Sequence, residues 1–272
     1  MKINRIKKIY SIHKSIHLFY WNKNFEGKYN IGDLLSLFIV RHLSQYKVTY
    51  TSRYTPFPLK LCAVGSLIND SVLITGGIFW GSGMLVSKVK KHFAPAVFTA
   101  VRGPLTRRSL LEAGYDCPDI YGDPALLLPQ IYQPRNKVKK YKIGIICHWR
   151  HANFIKCEGD IKLIDILRTE EDAWSFIDEI CECEMILSSS LHGIIIANAY
   201  NIPAKQIVFE GSPLEGDPLK KFHDYYLSVN MPIQNPLQLK KGATINDDTK
   251  IHYDKTVDLN IDLKRLYEAF PF

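Results

Sequence analysis

None of the six cysteines forms a Cys-x-x-Cys pair, and no histidine stands at finger spacing from them. A structural zinc site and a redox dithiol are therefore not expected. With 272 residues from which to bury a core, the chain needs no disulfide framework to fold. Cys62, Cys117, Cys147, Cys157, Cys181 and Cys183 read as reduced, mostly buried thiols. No run reaches the ~18 apolar residues of a spanning helix, and no N-terminal apolar stretch ends at a small-residue cleavage site. The expectation is a cytoplasmic protein without signal peptide or membrane span. The sequence also has no Ser-His-Asp elbow, no kinase signature set and no His-Glu-x-x-His site, and it shows no internal repeat or low-complexity tract. Gly76-Gly77-Ile78-Phe79-Trp80-Gly81-Ser82-Gly83 is glycine-rich, yet it lacks the lysine of a P-loop and the spacing of a dinucleotide fingerprint. No metal and no cofactor are expected.

What is present is a globular composition, with 46% hydrophobic and 23% charged residues. The length suits two compact domains of roughly 100–150 residues each. The formal charge is +8, but seven cations and a single anion fall within the first 28 residues, so the remaining body is nearly neutral. A charge confined to one arm, with no recognition motif beside it, argues against nucleic acid as a partner. Ile3, Ile6, Ile9 and Ile16 interleave with those cations at roughly helical spacing. That pattern suits a peripheral contact with anionic lipid at the inner face of the cell membrane, and equally a frayed solubilising arm.

The hydrophobic pattern alternates between strand and helix. His17 to Trp21, Leu61 to Val64, Val72 to Thr75 and Val97 to Val101 read as short strands, with helices at Leu34 to Leu43 and Leu105 to Ala113, the latter opened by Pro104. Pro129 to Tyr141 is polar, basic and proline-bearing, the best linker in the chain. Strands at Lys142 to Cys147, Met185 to Ser188 and Ala204 to Phe209 follow, with helices at Glu170 to Cys181, Gly193 to Tyr200 and Asp262 to Phe270. Repeated βα units imply mostly parallel sheets. The resulting expectation is an α/β fold of two Rossmann-like domains facing across a cleft. Residues 1–134 form the first, with a basic arm at about 1–16; residues 135–245 form the second, and 246–272 a tail with a helix.

Polar motifs stand at the strand ends, where ligands gather in open α/β sheets. Arg102-Gly103-Pro104-Leu105-Thr106-Arg107-Arg108 places guanidinium groups at a strand end and in the next helix turn, an arrangement suited to carboxylate or phosphate. Ser188-Ser189-Ser190-Leu191-His192-Gly193 joins an apolar strand to an apolar helix, with Gly193 permitting close backbone approach and His192 able to move a proton near neutral pH. Asp33, in Asn30-Ile31-Gly32-Asp33, is either a helix cap or a base facing the cleft. In Tyr121-Gly122-Asp123-Pro124, capping is the favoured role for Asp123. His148 and Arg150 follow the first strand of the second half and would face the same cleft as Arg102. Lys221-Phe222-His223-Asp224-Tyr225-Tyr226 offers sugar stacking or, more simply, packing.

Asn30-Ile31-Gly32-Asp33, Gly76-Gly77, Arg102 to Thr106, Gly122 to Pro129, Ser188 to Gly193, Ile202-Pro203 and Asp224-Tyr225-Tyr226 together resemble the polysaccharide pyruvyl transferase family. The motifs occur in order between Asn30 and Tyr226. The resemblance implies a fold similar to GT-B glycosyltransferases, phosphoenolpyruvate as donor co-substrate, a saccharide or lipid-linked saccharide of a capsule or exopolysaccharide as acceptor, and a pyruvate ketal as product. Family members commonly carry an arginine before Leu-His-Gly, whereas this chain has Ser190. The donor cation then falls to Arg102, Arg150 or Arg107. On this basis His192 and Asp33 are the expected catalytic pair. Arg102, Arg107, His148, Arg150, Ser189, Ser190 and Gly193 are expected at the donor, and Asn30, Trp80 and Tyr225 at the acceptor. A GT-B-like glycosyltransferase using a nucleotide sugar is the rival reading, followed by a non-catalytic saccharide- or lipid-binding module.

Overall fold

A computed structural model of the chain describes residues 15–136, 138–214, 218–249, 251, 253 and 256–272. Residues 1–14, which hold most of the expected basic arm, lie outside the described residues.

Strand β1 (Ser15–Phe19) leads through β2 (Tyr29–Asn30) into helix α1 (Ile31–Leu43). The Asn30 side chain accepts a hydrogen bond from the Gly32 N–H at 2.9 Å, while Asp33 lies in the first turn and Arg41 and His42 in the last. Cap and charges thus complement both ends of the helix dipole. Next come β3 (Lys47–Tyr50), β4 (Lys60–Cys62), the one-turn helix α2 (Asp70–Leu73), β5 (Gly77–Ser82), β6 (Ala96–Val101) and α3 (Pro104–Glu112). The five main strands form one parallel sheet in the order β3-β1-β4-β5-β6.

A 3₁₀ turn at Pro124–Leu127 and the short helix α4 (Leu128–Ile131) lead into the second half. There β7 (Tyr141–Ile146), β8 (Ile155–Cys157), β9 (Ile161–Leu163) and β10 (Leu167–Arg168) precede α5 (Ala173–Cys181). The chain continues with β11 (Cys183–Ser188), α6 (Leu191–Ala199), β12 (Ala204–Phe209), α7 (Pro218–Ser228), β13 (Leu237–Leu239), β14 (Ala243–Ile245) and α8 (Leu263–Glu268). The second parallel sheet runs β13-β12-β11-β7-β9. The antiparallel pair β2–β10 ties the two halves together.

Strands buried on both faces send alternate residues to different cores. From β5, Ile78 and Trp80 point into a large core and Phe79 into a smaller one; from β11, Ile186 joins the large core while Met185 and Leu187 face a third. The large core is continuous between the sheets, drawing Leu35 and Ile39 from α1, Leu126 to Leu128, Ile194 to Ile196 from α6, and Leu266 from α8. All six cysteines are free, and only Cys157 is more than slightly exposed.

Two sequence expectations are corrected. Val72 to Thr75 is no strand, because the Asn69 side chain accepts from the Val72 N–H at 3.1 Å and starts a helical turn instead. Gly76, at φ +71°, then turns the chain so that the glycine-rich stretch becomes the buried strand β5. Trp80, assigned to the acceptor from sequence, is wholly buried in that strand: its Nε1–H donates to the Leu266 carbonyl at 2.8 Å, and its ring lies 4.8 Å from Phe270. Its role is to seat the C-terminal helix on the first sheet. Replacement Trp80→Ala should cost about 3–5 kcal/mol of unfolding free energy in urea denaturation, through the cavity it leaves and the loss of the Leu266 bond.

Candidate functional site

Where the carboxyl ends of the two sheets approach each other, residues from both halves line a pocket of about 370 Å³. The first half contributes Asn30 and Asp33 from the start of α1 and Ser66 from the loop after β4; the second contributes His148, Arg150, Ser190, His192 and Lys221. An aromatic rim completes the wall. Phe25 and Trp149 lie 5.0 Å apart, with the Lys23 ammonium 4.3 Å and the Arg150 guanidinium 5.0 Å from the Trp149 ring.

Asp33 and His192 meet because α1 and α6 start side by side. A Cβ on Gly32 would stand 2.0 Å from His192 Nδ1, so only glycine lets the helix and the imidazole come this close. A Cβ on Gly65 would lie 3.5 Å from Asp33 Oδ1 and 3.8 Å from His192 Cε1, which puts both groups over the same point. His192 Nε2 is 3.8 Å from Asp123 Oδ2, and neither atom has a hydrogen-bond partner among the described residues. Asp123 does cap the 3₁₀ turn, its Oδ1 accepting from the Ala125 N–H at 3.0 Å, while its other oxygen faces the His192 ring.

Burial dominates the titration of the pocket. It pushes the Asp33 carboxyl up to about 6, against the opposing pull of His192 and Lys221. It lowers the Lys221 ammonium to about 8, helped by Arg102 and opposed by Asp33. Burial, with Lys221, His151 and Arg150 nearby, lowers His148 to about 3, so its ring is neutral at physiological pH. His148 Nδ1 accepts from the Arg150 N–H at 3.3 Å, leaving Nε2–H as a donor. The first turn of α6, whose cap Ser190 makes no side-chain hydrogen bond to it, adds backbone N–H groups.

Five further expectations are corrected. Arg102 does not line this pocket: it is 1% exposed, its Nε stands 3.3 Å from Asp224 Oδ2 and its Nη1 donates to Ser66 Oγ at 2.9 Å. A guanidinium so deep needs a carboxylate, and Asp224 supplies it. Arg107 is turned away, its Nε donating to the Cys117 carbonyl at 3.1 Å. Ser189 sits behind the wall, where its Oγ accepts from the His148 N–H at 2.9 Å. Gly193 faces Ser188, whose Oγ would lie 2.3 Å from a Cβ there, so its smallness serves helix–strand packing. Tyr225 is fully buried and donates to Asn198 Oδ1 at 3.0 Å, leaving no face for a sugar.

Residues 3–204 match the family model described as polysaccharide pyruvyl transferase. The chain belongs to that family. Among curated proteins, an uncharacterized protein of Acanthamoeba polyphaga mimivirus is 31% identical over 227 residues, 79% of this chain and 75% of that protein. The succinoglycan biosynthesis protein ExoV of Rhizobium meliloti is 27% identical over 150 residues, 53% of this chain and 46% of its own length. Among solved structures, an uncharacterized protein of Klebsiella pneumoniae aligns with a TM-score of 0.47 at 15% identity, covering 88% of this chain and 98% of the other.

Lys221 and Asp224 fall beyond the span matched to the pyruvyl transferase family. In the sequence they stand in a stretch suited only to sugar stacking or packing, although their i, i+3 spacing on the helix Pro218–Ser228 puts them on one face. Asp123 likewise reads in the sequence only as a cap, because the His192 partner lies far along the chain. The sign of the Asp33 shift yields a prediction. A carboxyl whose folded value exceeds its ordinary 3.8 favours the folded state when protonated, so this contribution is fully present below about pH 4 and lost as the pH rises through about 6. Asp33→Asn should therefore be more stable than the parent above pH 6 and lose that advantage by pH 4, as read by thermal unfolding across pH.

Proposed function

We propose that this family member transfers pyruvate from phosphoenolpyruvate to two hydroxyls of a saccharide or lipid-linked saccharide of a cell-surface polysaccharide, forming a ketal. The observation that carries the reading is the convergence of Asp33, His192, His148, Arg150 and Lys221 on one pocket in a member of the polysaccharide pyruvyl transferase family. We read the chain as two Rossmann-like units, 1–134 and 135–245, with a tail from 246 and a GT-B-like cleft between them. The basic arm at residues 1–16 suits contact with the inner membrane face when the acceptor is lipid-linked.

The donor carries a carboxylate and a phosphate. Lys221, Arg150 and the N–H groups at the start of α6 are the groups suited to bind them, taking the place of the arginine that Ser190 replaces. The neutral His148 donates a hydrogen bond from Nε2. His192, with Asp123 behind it, protonates the methylene carbon, leaving cationic character on the adjacent carbon. A sugar hydroxyl attacks that carbon and gives its proton to Asp33. A second hydroxyl then displaces phosphate, which leaves with the second hydroxyl proton, and Asp33 returns its proton to His192. Asn30 and the rim of Phe25 and Trp149 hold the acceptor ring.

Incubation with phosphoenolpyruvate and glycan intermediates should release phosphate and add a pyruvate ketal, detected by mass spectrometry. Thermal stabilisation by nucleotide sugars and none by phosphoenolpyruvate would contradict the reading. His192→Ala should lower turnover by about 10²- to 10⁴-fold without unfolding the protein. The kcat/KM profile should rise through about pH 6 as Asp33 ionises and fall through about pH 8 as Lys221 loses its charge. Asp33→Asn should remove the acid limb.

A further inference from the structure

Behind the wall of this pocket, at the carboxyl ends of β11 and β12, lies a larger cavity of about 560 Å³. The two adjoin: Leu214 lines both, and Ser189 of the larger cavity precedes Ser190 of the smaller. Phe209, Phe222 and Ile233 give the larger cavity an apolar lining. Gln206, 2% exposed on β12, lines it and carries a buried Oε1 that has no hydrogen-bond partner among the described residues, and so does Gln234, from the loop before β13. His151 and His223 add polar edges from other walls. Among the described residues no lysine or arginine lines the cavity, so a carboxylate or phosphate would meet no counter-charge from them there.

We propose that this cavity is an acceptor subsite that takes a neutral sugar residue adjoining the one being modified; the assignment rests on the pyruvyl-transfer reading above. Two buried carboxamide oxygens call for O–H or N–H donors. A pyranose carries hydroxyls around its whole circumference and C–H groups on its faces, matching polar groups spread over several walls and an aromatic lining. Size points the same way. The reaction pocket, at 370 Å³, stands near the lower end of the ~300–1,000 Å³ usual for small-molecule sites and must hold both the donor and the reacting hydroxyls. The rest of an oligosaccharide acceptor needs adjoining room, and the larger cavity provides it.

The test is binding, measured by saturation-transfer NMR and calorimetry on the full chain with cellobiose, lactose, their monosaccharides, uridine and phosphoenolpyruvate. Disaccharides should bind without the donor and more tightly than monosaccharides. Gln206→Leu and Gln234→Ala should each weaken disaccharide binding by about tenfold, the effect of one hydrogen bond, and leave phosphoenolpyruvate binding unchanged. Gln234 lies outside the sheet, so its variant decides the matter if Gln206→Leu disturbs folding. Disaccharide binding that is absent, or unchanged in both variants, overturns the subsite, as does uridine binding that depends on these glutamines in place of sugar. Loss of phosphoenolpyruvate binding alone, with glutamine-dependent disaccharide binding intact, would count against the donor reading and for the saccharide subsite.

Discussion

The carboxylate of Asp224 is a buried polar joint between α7 and the first half of the molecule. Its Oδ1 accepts from the N–H groups of Leu105 and Thr106 at 2.8 and 3.0 Å, its Oδ2 from the Thr106 hydroxyl at 2.6 Å, and Arg102 Nε stands 3.3 Å from Oδ2. One side chain therefore answers the open N–H groups of α3 and neutralises a guanidinium buried at a strand end. Because Asp224 belongs to α7, that helix is fixed against the first sheet. Lys221, one turn earlier, is thereby held in the wall of the pocket. The arginine that looks most like a ligand in the sequence is consumed in building the frame, and a half-buried lysine takes the place facing the pocket.

The same low-dielectric setting organises the chemistry. Asp33, His148 and Lys221 are all shifted chiefly by burial, toward their neutral forms. A carboxyl titrating near 6 and an ammonium near 8 bracket neutral pH, which suits a site that must accept a proton and still hold an anion. The close approach of α1 to α6 at Gly32 brings that carboxyl to His192, and Asp123 backs the imidazole from the first half. The pocket thus depends on elements drawn from both sheets around their shared core.

The parts of this arrangement that could be read beforehand are those with short-range causes. Pro104 opening α3, Asn30 capping α1 and the strand–helix alternation around Ser188 to Tyr200 all follow from caps, ring constraints and periodicity. Asn30, Asp33, His148, Arg150, Ser190 and His192, all residues that the family resemblance marks for catalysis or binding, line one pocket. The misreadings share a different cause. Gly76 and Gly77 looked like a strand end, but the chain turns there and the adjacent apolar run becomes the buried strand. Trp80 and Tyr225 looked like sugar platforms, yet their polar atoms are satisfied inside the core by Leu266 and Asn198.

By itself the sequence determined the βα units, the caps and the set of polar side chains available at strand ends, because each of these is decided by neighbours within a few residues. Only the tertiary structure decided which of those side chains meet the pocket. A buried charge must find its counter-charge wherever the chain supplies one: Arg102 finds Asp224 across a separation that no local pattern encodes, as the close approach of His192 to Asp123 also spans one.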